Sequence, residues 1–218
     1  MRKFYRQFIK PGDLCFDIGA SVGIFSETFL DLGAKVIAVE PVDENFNHLN
    51  ERLKTNADFH AIQAAVSSVS GITQIHRSTH LDLSTLDQNF VKFNEDQFQT
   101  KWTDTQIVQL TTLEELIKKH GLPDFCKIDV ECHEKEVLLG LNSVITMISF
   151  EYLFPFKNKA LECIERISEL SPNTVYNYSL YEFFELENDK WLDKHSFISC
   201  VKELSQKHWT GDIFCKLL

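Results

Sequence analysis

The sequence predicts an α/β fold built on a doubly wound, mostly parallel, Rossmann-like sheet with an antiparallel C-terminal strand. Three observations carry this. Short apolar runs alternate with amphipathic stretches along the chain. The first run breaks at a glycine-bracketed turn, Asp17-Ile18-Gly19-Ala20-Ser21-Val22-Gly23. The second ends in an acidic residue, Glu40, followed by Pro41. Strand and helix alternating this regularly imply parallel strands joined by crossover helices, with both sheet faces covered.

Leu14 to Ile18 reads as a first buried strand. Val22 to Leu32 repeats apolar residues at helical spacing and stops at Gly33, which suits a C-terminal glycine. Lys35 to Val39 is a second, branched-rich strand, and Asn45 to Thr55 places Phe46, Leu49 and Leu53 on one helical face. Phe59 to Val66 reads as a third strand with Ile72 to His76 as its hairpin partner. From residue 78 to 104 the periodicity dissolves, which predicts a loop or lid. Gln106 to Leu110 alternates as a strand, and Thr112-Leu113-Glu114-Glu115 opens a helix that ends before Gly121. Phe125 to Val130 and Ile145 to Leu153 are further core strands. Helices follow at about 133–139, 159–170 and 197–206, with strands at about 174–180 and 212–217.

A length of 218 residues suits one domain spanning 1–218. The net charge of -10 argues against a non-specific grip on nucleic acid, which needs Lys and Arg to neutralise phosphates. No apolar run approaches the roughly 20 residues of a membrane helix. Nor does a basic stretch followed by an apolar one open the chain, so a cytoplasmic protein is expected. Six cysteines scattered through strands and helices suit reduced, mostly buried thiols. Cys132-His133 lacks the second half of a zinc site, so no metal is expected.

In an open α/β sheet, ligands sit beyond the carboxyl ends of the strands. Small residues at the first turn let the backbone approach a ligand. A dinucleotide site prefers G-x-G-x-x-G, with its pyrophosphate on the helix N-terminus. This turn has one glycine fewer and carries the Asp17 carboxylate, which suits a cofactor with a cationic amino-acid end. Glu40 can accept hydrogen bonds from both ribose hydroxyls, a feature that nicotinamide and adenosyl cofactors share. Glycines after strands are also ordinary turn formers, so the turn is informative mainly through its setting.

At this point the sequence resembles the FkbM family of methyltransferases. Phe16 to Gly23 resembles that family's cofactor motif, and Ala38-Val39-Glu40-Pro41 its acidic second-strand end. Ala64-Ala65-Val66-Ser67 followed by Gly71, and Thr111 to Leu116, are similar to further family blocks. Most specific is Lys127-Ile128-Asp129-Val130-Glu131-Cys132-His133-Glu134, which resembles the family's K-I-D-V-E-G-x-E signature. Cys132 departs from it, because the family has glycine there. If that position has a positive φ, a cysteine is strained or the turn reshaped.

The resemblance implies the class I methyltransferase fold and S-adenosylmethionine as donor. It further implies O-methylation of a hydroxyl on a sugar or secondary metabolite, hence a small-molecule or glycan acceptor. By the same resemblance Asp17, Gly19 and Ala20, in the turn closed by Gly23, lie along the methionine part of the cofactor. Glu40 then binds ribose, Ala65 and Val66 flank adenine, and Asp129 faces the methionine end or the acceptor.

Asp129, Glu131, His133 and Glu134 are the candidates for removing the acceptor proton. His133 has the most suitable ordinary pKa, although a histidine at such a turn is usually a solvated one. Glu131 and Glu134 could instead be first-turn carboxylates favoured by the helix dipole. Lys127 could pair with a carboxylate inside the sheet. By the same resemblance His80, Asp82 and Ser84 fall where family members place acceptor contacts, although such loop residues are usually surface polar groups, and Glu151, ending the fifth strand, is a candidate acceptor contact. Phe90, Phe93, Phe98 and Trp102 either stack on a sugar ring or anchor the loop to the core. Two rival readings remain, an NAD-dependent oxidoreductase and a catalytically silent binding module that kept the fold.

Overall fold

The segments Leu14–Ile18 (β1) and Lys35–Val39 (β2) pair in parallel, and the helix between them, Ile24–Asp31 (α2), packs back against the sheet. A short helix, Arg2–Tyr5 (α1), precedes them. The computed structural model describes residues 1–78, 83–181 and 183–218. Asp43–Leu53 (α3) leads to Phe59–Ile62 (β3), Ala65–Val66 (β4) and Gly71–Ser78 (β5). Gln88–Phe98 (α4), Trp102–Thr111 (β6), Leu113–His120 (α5) and Phe125–Ile128 (β7) come next. Glu134–Leu139 (α6), Met147–Leu153 (β8) and a single 3₁₀ turn at Phe154–Phe156 lead into Lys157–Leu170 (α7). Val175–Leu180 (β9), Lys194–Glu203 (α8) and Thr210–Lys216 (β10) complete the chain.

Among the described residues the main sheet has seven strands in the order β3-β2-β1-β7-β8-β10-β9. Its pairs from β3 to β8 are parallel, and β10 runs antiparallel to both neighbours. The expected antiparallel C-terminal strand is therefore present, inserted between β8 and β9. The order reverses between β1 and β7. Their carboxyl ends flank the crevice where ligands bind in such sheets.

Period-two alternation sends neighbouring residues to opposite faces. Phe16, Ile18, Cys126, Ile128 and Phe150 join one core with α5, α6, α7 and α8. Cys15, Val36, Phe125 and Phe214 join the other with Tyr5, Phe29 and Leu49. Burying each of these large side chains contributes about 1.5–3 kcal/mol. Asp17 follows Cys15 by two and Lys127 follows Phe125 by two. Both polar residues thus enter the second core side by side, as the Asp17–Lys127 register requires. All six cysteines are free thiols and five are buried, as their scatter implied.

Two expectations need correction. The run from Phe59 to Val66 is not one strand: β3 ends at Ile62, and β4 joins a second sheet of order β4-β6-β5. The antiparallel partner of β5 is β6, not β3. The stretch 78–104, read as an unperiodic loop, contains α4. The Asp87 carboxylate caps that helix by accepting from Phe90 N at 2.8 Å, and Gln99 closes it at φ 53°. The helix that ends before Gly121 behaves as read: Thr112 and Glu115 form a reciprocal capping box, and Gly121 ends α5 at φ 101°.

Candidate active site

Gly19 adopts φ 80°, and its N–H donates to the Val39 carbonyl at 2.9 Å. A Cβ on Gly19 would fall 1.8 Å from the Asp129 carbonyl oxygen, so only glycine lets the turn pass against the tip of β7. Ser21, at φ 47°, aims its N–H at Glu40 Oε2 (2.9 Å), and Val42 N donates to Glu40 Oε1 at 2.9 Å. The first turn and the end of β2 are thereby joined through one buried carboxylate. Burial pushes Glu40 up to about 7, against the pull of these two donors.

Gly19, Ser21 and Glu40 border a cleft. Ile18, Ala65, Val66 and Val130 give it an apolar slot, while Glu40, Asp129, Glu131 and His133 supply its polar edge. Five sequence-derived cofactor residues therefore face the cleft directly: Gly19, Glu40, Ala65, Val66 and Asp129.

The other three lie behind it. Asp17 is 1% exposed and accepts from Ser26 Oγ at 2.6 Å, and burial pushes its carboxyl up to about 6. Ala20 is buried, with its N–H on the Val39 carbonyl. Gly23 starts α2 at φ 88°, and a Cβ there would meet Leu49 Cδ1 at 2.5 Å. Its smallness serves the contact between α2 and α3.

The turn from β7 into α6 contains two consecutive left-handed residues, Glu131 (φ 54°) and Cys132 (φ 73°). The positive φ suspected for the glycine position is thus real, and cysteine occupies it. Thr85 Oγ1 donates to the Glu131 carbonyl at 2.7 Å, and Lys159 Nζ donates to the Cys132 carbonyl at 2.8 Å. Lys159 also pairs with Asp87, the cap of α4. The strained turn is therefore held by the segment that carries α4.

Glu134 is 4% exposed; its Oε1 accepts from Val130 N at 3.1 Å, and burial pushes it up to about 7. It is a first-turn carboxylate of α6, as the alternative reading had it, and a buried one that braces the turn. His133 is not the solvated histidine expected at a turn. It lies partly buried with Nε2 at 3.0 Å from Ser67 Oγ, and burial lowers its imidazole below the ordinary value. It borders the cleft near Ala65 and Val66.

Lys127 is 1% exposed and donates to Asp129 Oδ2 at 3.0 Å and Asp212 Oδ1 at 3.1 Å. Burial alone would lower its ammonium; the two carboxylates hold it well above the usual value. The in-sheet pairing expected of Lys127 is thus present.

A second cavity opens beside Glu131. Phe90, Phe93 and Phe98 of α4, with Phe156 and Trp209, form its walls, and Glu131, Glu151 and Thr210 line it as well. Glu131 is common to both cavities. Carboxylate oxygens of Asp129, Glu131 and Glu151 lie within 4.8 Å of one another, close enough to share a proton or a cation. Burial and the charges of Asp129, Glu131 and Glu134 raise the Glu151 carboxyl well above its ordinary value. Ser84 borders the cofactor-side cleft, whereas Trp102 packs near His76 and lines neither cavity. His80 and Asp82 lie outside the described residues. Sequence reasoning missed Thr85, Lys159, Phe156 and Trp209, since only tertiary contacts bring them to the site.

The sheet order and the crevice at the carboxyl ends of its strands are those of the class I S-adenosylmethionine-dependent methyltransferase fold. The chain superposes on the precorrin-6Y C5,15-methyltransferase of Geobacter metallireducens GS-15 with a TM-score of 0.50 at 12% identity, covering 100% of this chain and 87% of that one. A TehB-like S-adenosylmethionine-dependent methyltransferase from Corynebacterium glutamicum gives 0.51 at 7% identity, with 100% and 86% covered. Aeropyrum pernix fibrillarin, solved with natively bound S-adenosyl-L-methionine, gives 0.51 at 8% identity, with 95% and 68% covered. At these identities the likeness is one of fold. The methyltransferase FkbM domain model matches residues 17–186, and the chain belongs to that family. A search of the curated proteins returns no match. S-adenosylmethionine is accordingly its cofactor.

Proposed function

We propose that the chain methylates a hydroxyl on a small acceptor, a sugar or secondary metabolite, seated in the aromatic cavity. The observation that carries this reading is the pair of cavities meeting at Glu131, one at the carboxyl ends of β1, β2 and β7 and one roofed by α4. No lysine, arginine or histidine is among the described residues lining the aromatic cavity, which speaks against a phosphate-bearing acceptor such as nucleic acid.

The cleft residues fit the cofactor. Glu40 presents a carboxylate already oriented by two backbone donors, suited to ribose hydroxyls. Ala65, Val66 and Val130 make an apolar slot for the adenine, with His133 at its edge, and Gly19 brings the backbone close. Asp129 takes the methionine end. Asp17, Ala20 and Gly23 act from behind, as positioning residues for the turn. When bound, S-adenosylmethionine supplies a methyl group on a positively charged sulfur.

The protein's own tasks are to align the acceptor oxygen with that methyl and to take its proton. Glu131 is best placed for the proton, because it faces both cavities. Asp129 is pinned by Lys127 and serves better as a fixed charge. His133 borders only the cofactor side, so a contact to the adenosine suits it better than a role as base.

Calorimetric titration with S-adenosylhomocysteine tests the reading. Tight binding to the intact chain, weakened at least about tenfold in Glu40→Gln, is expected, tenfold being about 1.4 kcal/mol. Absence of binding in the wild-type chain would sink it.

A further inference from the structure

The aromatic cavity has a charge bias that methyl transfer to a hydroxyl does not itself require. Phe90, Phe93, Phe156 and Trp209 turn rings toward it, and Glu131 and Glu151 add carboxylates. Cations near these carboxylates are already engaged. Lys127 is held by Asp129 and Asp212, and Lys159 by Asp87 and the Cys132 carbonyl. Glu151 Oε1 accepts from Thr210 Oγ1 at 3.3 Å, but Oε2 is buried and has no hydrogen-bond partner among the described residues. Leaving a buried carboxylate oxygen without a donor is costly, and a ligand donor within the cavity would relieve it.

We propose that the cavity holds its acceptor through a protonated amine, placed between Glu151 and Glu131 and flanked by the aromatic rings. The inference rests on the reading of this cavity as the acceptor site, and it adds the charge class of the acceptor. An ammonium offers three donors to carboxylate oxygens and is attracted to ring faces. A neutral hydroxyl could satisfy Oε2 but brings no charge to face the neighbouring carboxylates and is not drawn to ring faces as a cation is. A hard divalent cation could bridge the same oxygens but gains nothing from phenyl walls, since it takes oxygen ligands. An anion meets repulsion from every charged group lining the cavity. The hydroxyl to be methylated is carried on the same small molecule, on the side of Glu131 that borders the cofactor cleft, with the ammonium toward Glu151.

The test uses the intact chain saturated with S-adenosylhomocysteine and three probes of similar size: phenethylamine, phenethyl alcohol and phenylacetate. By calorimetry, phenethylamine is expected to bind at least about tenfold more tightly than the alcohol, a difference of about 1.4 kcal/mol. Phenylacetate is expected not to bind. Glu151→Gln should erase the preference for the amine. Should that variant not fold, Phe93→Leu serves in its place, with a larger loss for the amine than for the alcohol. Equal affinity for amine and alcohol, tighter binding of phenylacetate, or no binding of the amine overturns the proposal. So does displacement of phenethylamine by Mn²⁺ alone, which would reassign the carboxylates to a metal. Failure of S-adenosylhomocysteine itself to bind would overturn the methyltransferase reading, a separate result.

Discussion

The hydroxyl of Thr85 donates to the backbone carbonyl of Glu131 at 2.7 Å, while the same oxygen accepts from Asp87 N at 2.9 Å. One side chain thus ties the cap of α4 to the left-handed turn beyond β7. Thr85→Val keeps the shape and removes both bonds. Leaving these groups without partners is expected to cost about 1–3 kcal/mol in a urea titration. Amides of α4 should also exchange their hydrogens faster. Unchanged exchange across 88–98 would show that α4 is held by other contacts.

Buried carboxylates set an unusual pH dependence. Asp17 is pushed up to about 6, Glu40 and Glu134 to about 7, and Glu151 is raised as well. A carboxyl raised on folding contributes stability that is complete below its ordinary range and is lost as pH rises through its folded value. Stability should therefore fall between about pH 4 and pH 7, from the ordinary carboxyl range to the raised values of Asp17, Glu40 and Glu134. His133, lowered by burial, works in the opposite sense and limits the gain at the acid end. Scanning calorimetry across this range checks the slope. Glu134→Gln keeps an acceptor for Val130 N and removes the charge, so it should raise Tm at alkaline pH by a few degrees, roughly 2–4 °C per kcal/mol for a chain of this size. A Tm that climbs steadily to pH 8 in the wild-type chain would contradict the assignment.

Gly23→Ala should destabilise by about 2 kcal/mol or more, because the added Cβ meets Leu49 and the backbone is left-handed. Measured against Leu49→Ala alone, the same glycine substitution should lose the part due to the clash and keep the part due to φ. If the single variant loses cofactor binding without losing stability, Gly23 touches the cofactor after all.

Cys132 sits at φ 73° and is 6% exposed. Cys132→Gly removes strain but also a buried thiol, so the two effects should nearly cancel, within about 1 kcal/mol. Cys132→Val places a β-branched side chain in the left-handed region and should cost clearly more, about 2 kcal/mol or above. Denaturant midpoints of the two variants decide it, and similar midpoints would remove the strain argument.

Much of the main sheet was legible because its strands are short apolar runs that end at glycine or acidic residues. The Asp17 to Gly23 turn, Glu40 and the Lys127 to Glu134 block pointed to the crevice before any coordinates. The turn's division of labour was not legible. That Gly23 answers to Leu49, while Gly19 answers to the Asp129 carbonyl, depends on contacts across elements. The second sheet was missed because β5 pairs with β6 across an intervening helix, a pairing that local periodicity does not encode. The Asp87 cap was a readable signal for α4, diluted by polar residues between its aromatic positions. Trp209 and Phe156 reach the aromatic cavity from the far end of the chain, beside Phe93.

Helix α4 supplies three of the rings in the aromatic cavity, yet none of the residues that border the cofactor cleft. If the aromatic cavity is the acceptor site proposed above, the two halves of the task rest on different segments of the chain. Exchanging Phe90, Phe93 or Phe98 can retune which molecules are admitted without disturbing Gly19 or Glu40. A lineage with this architecture can change its customers while keeping its reagent.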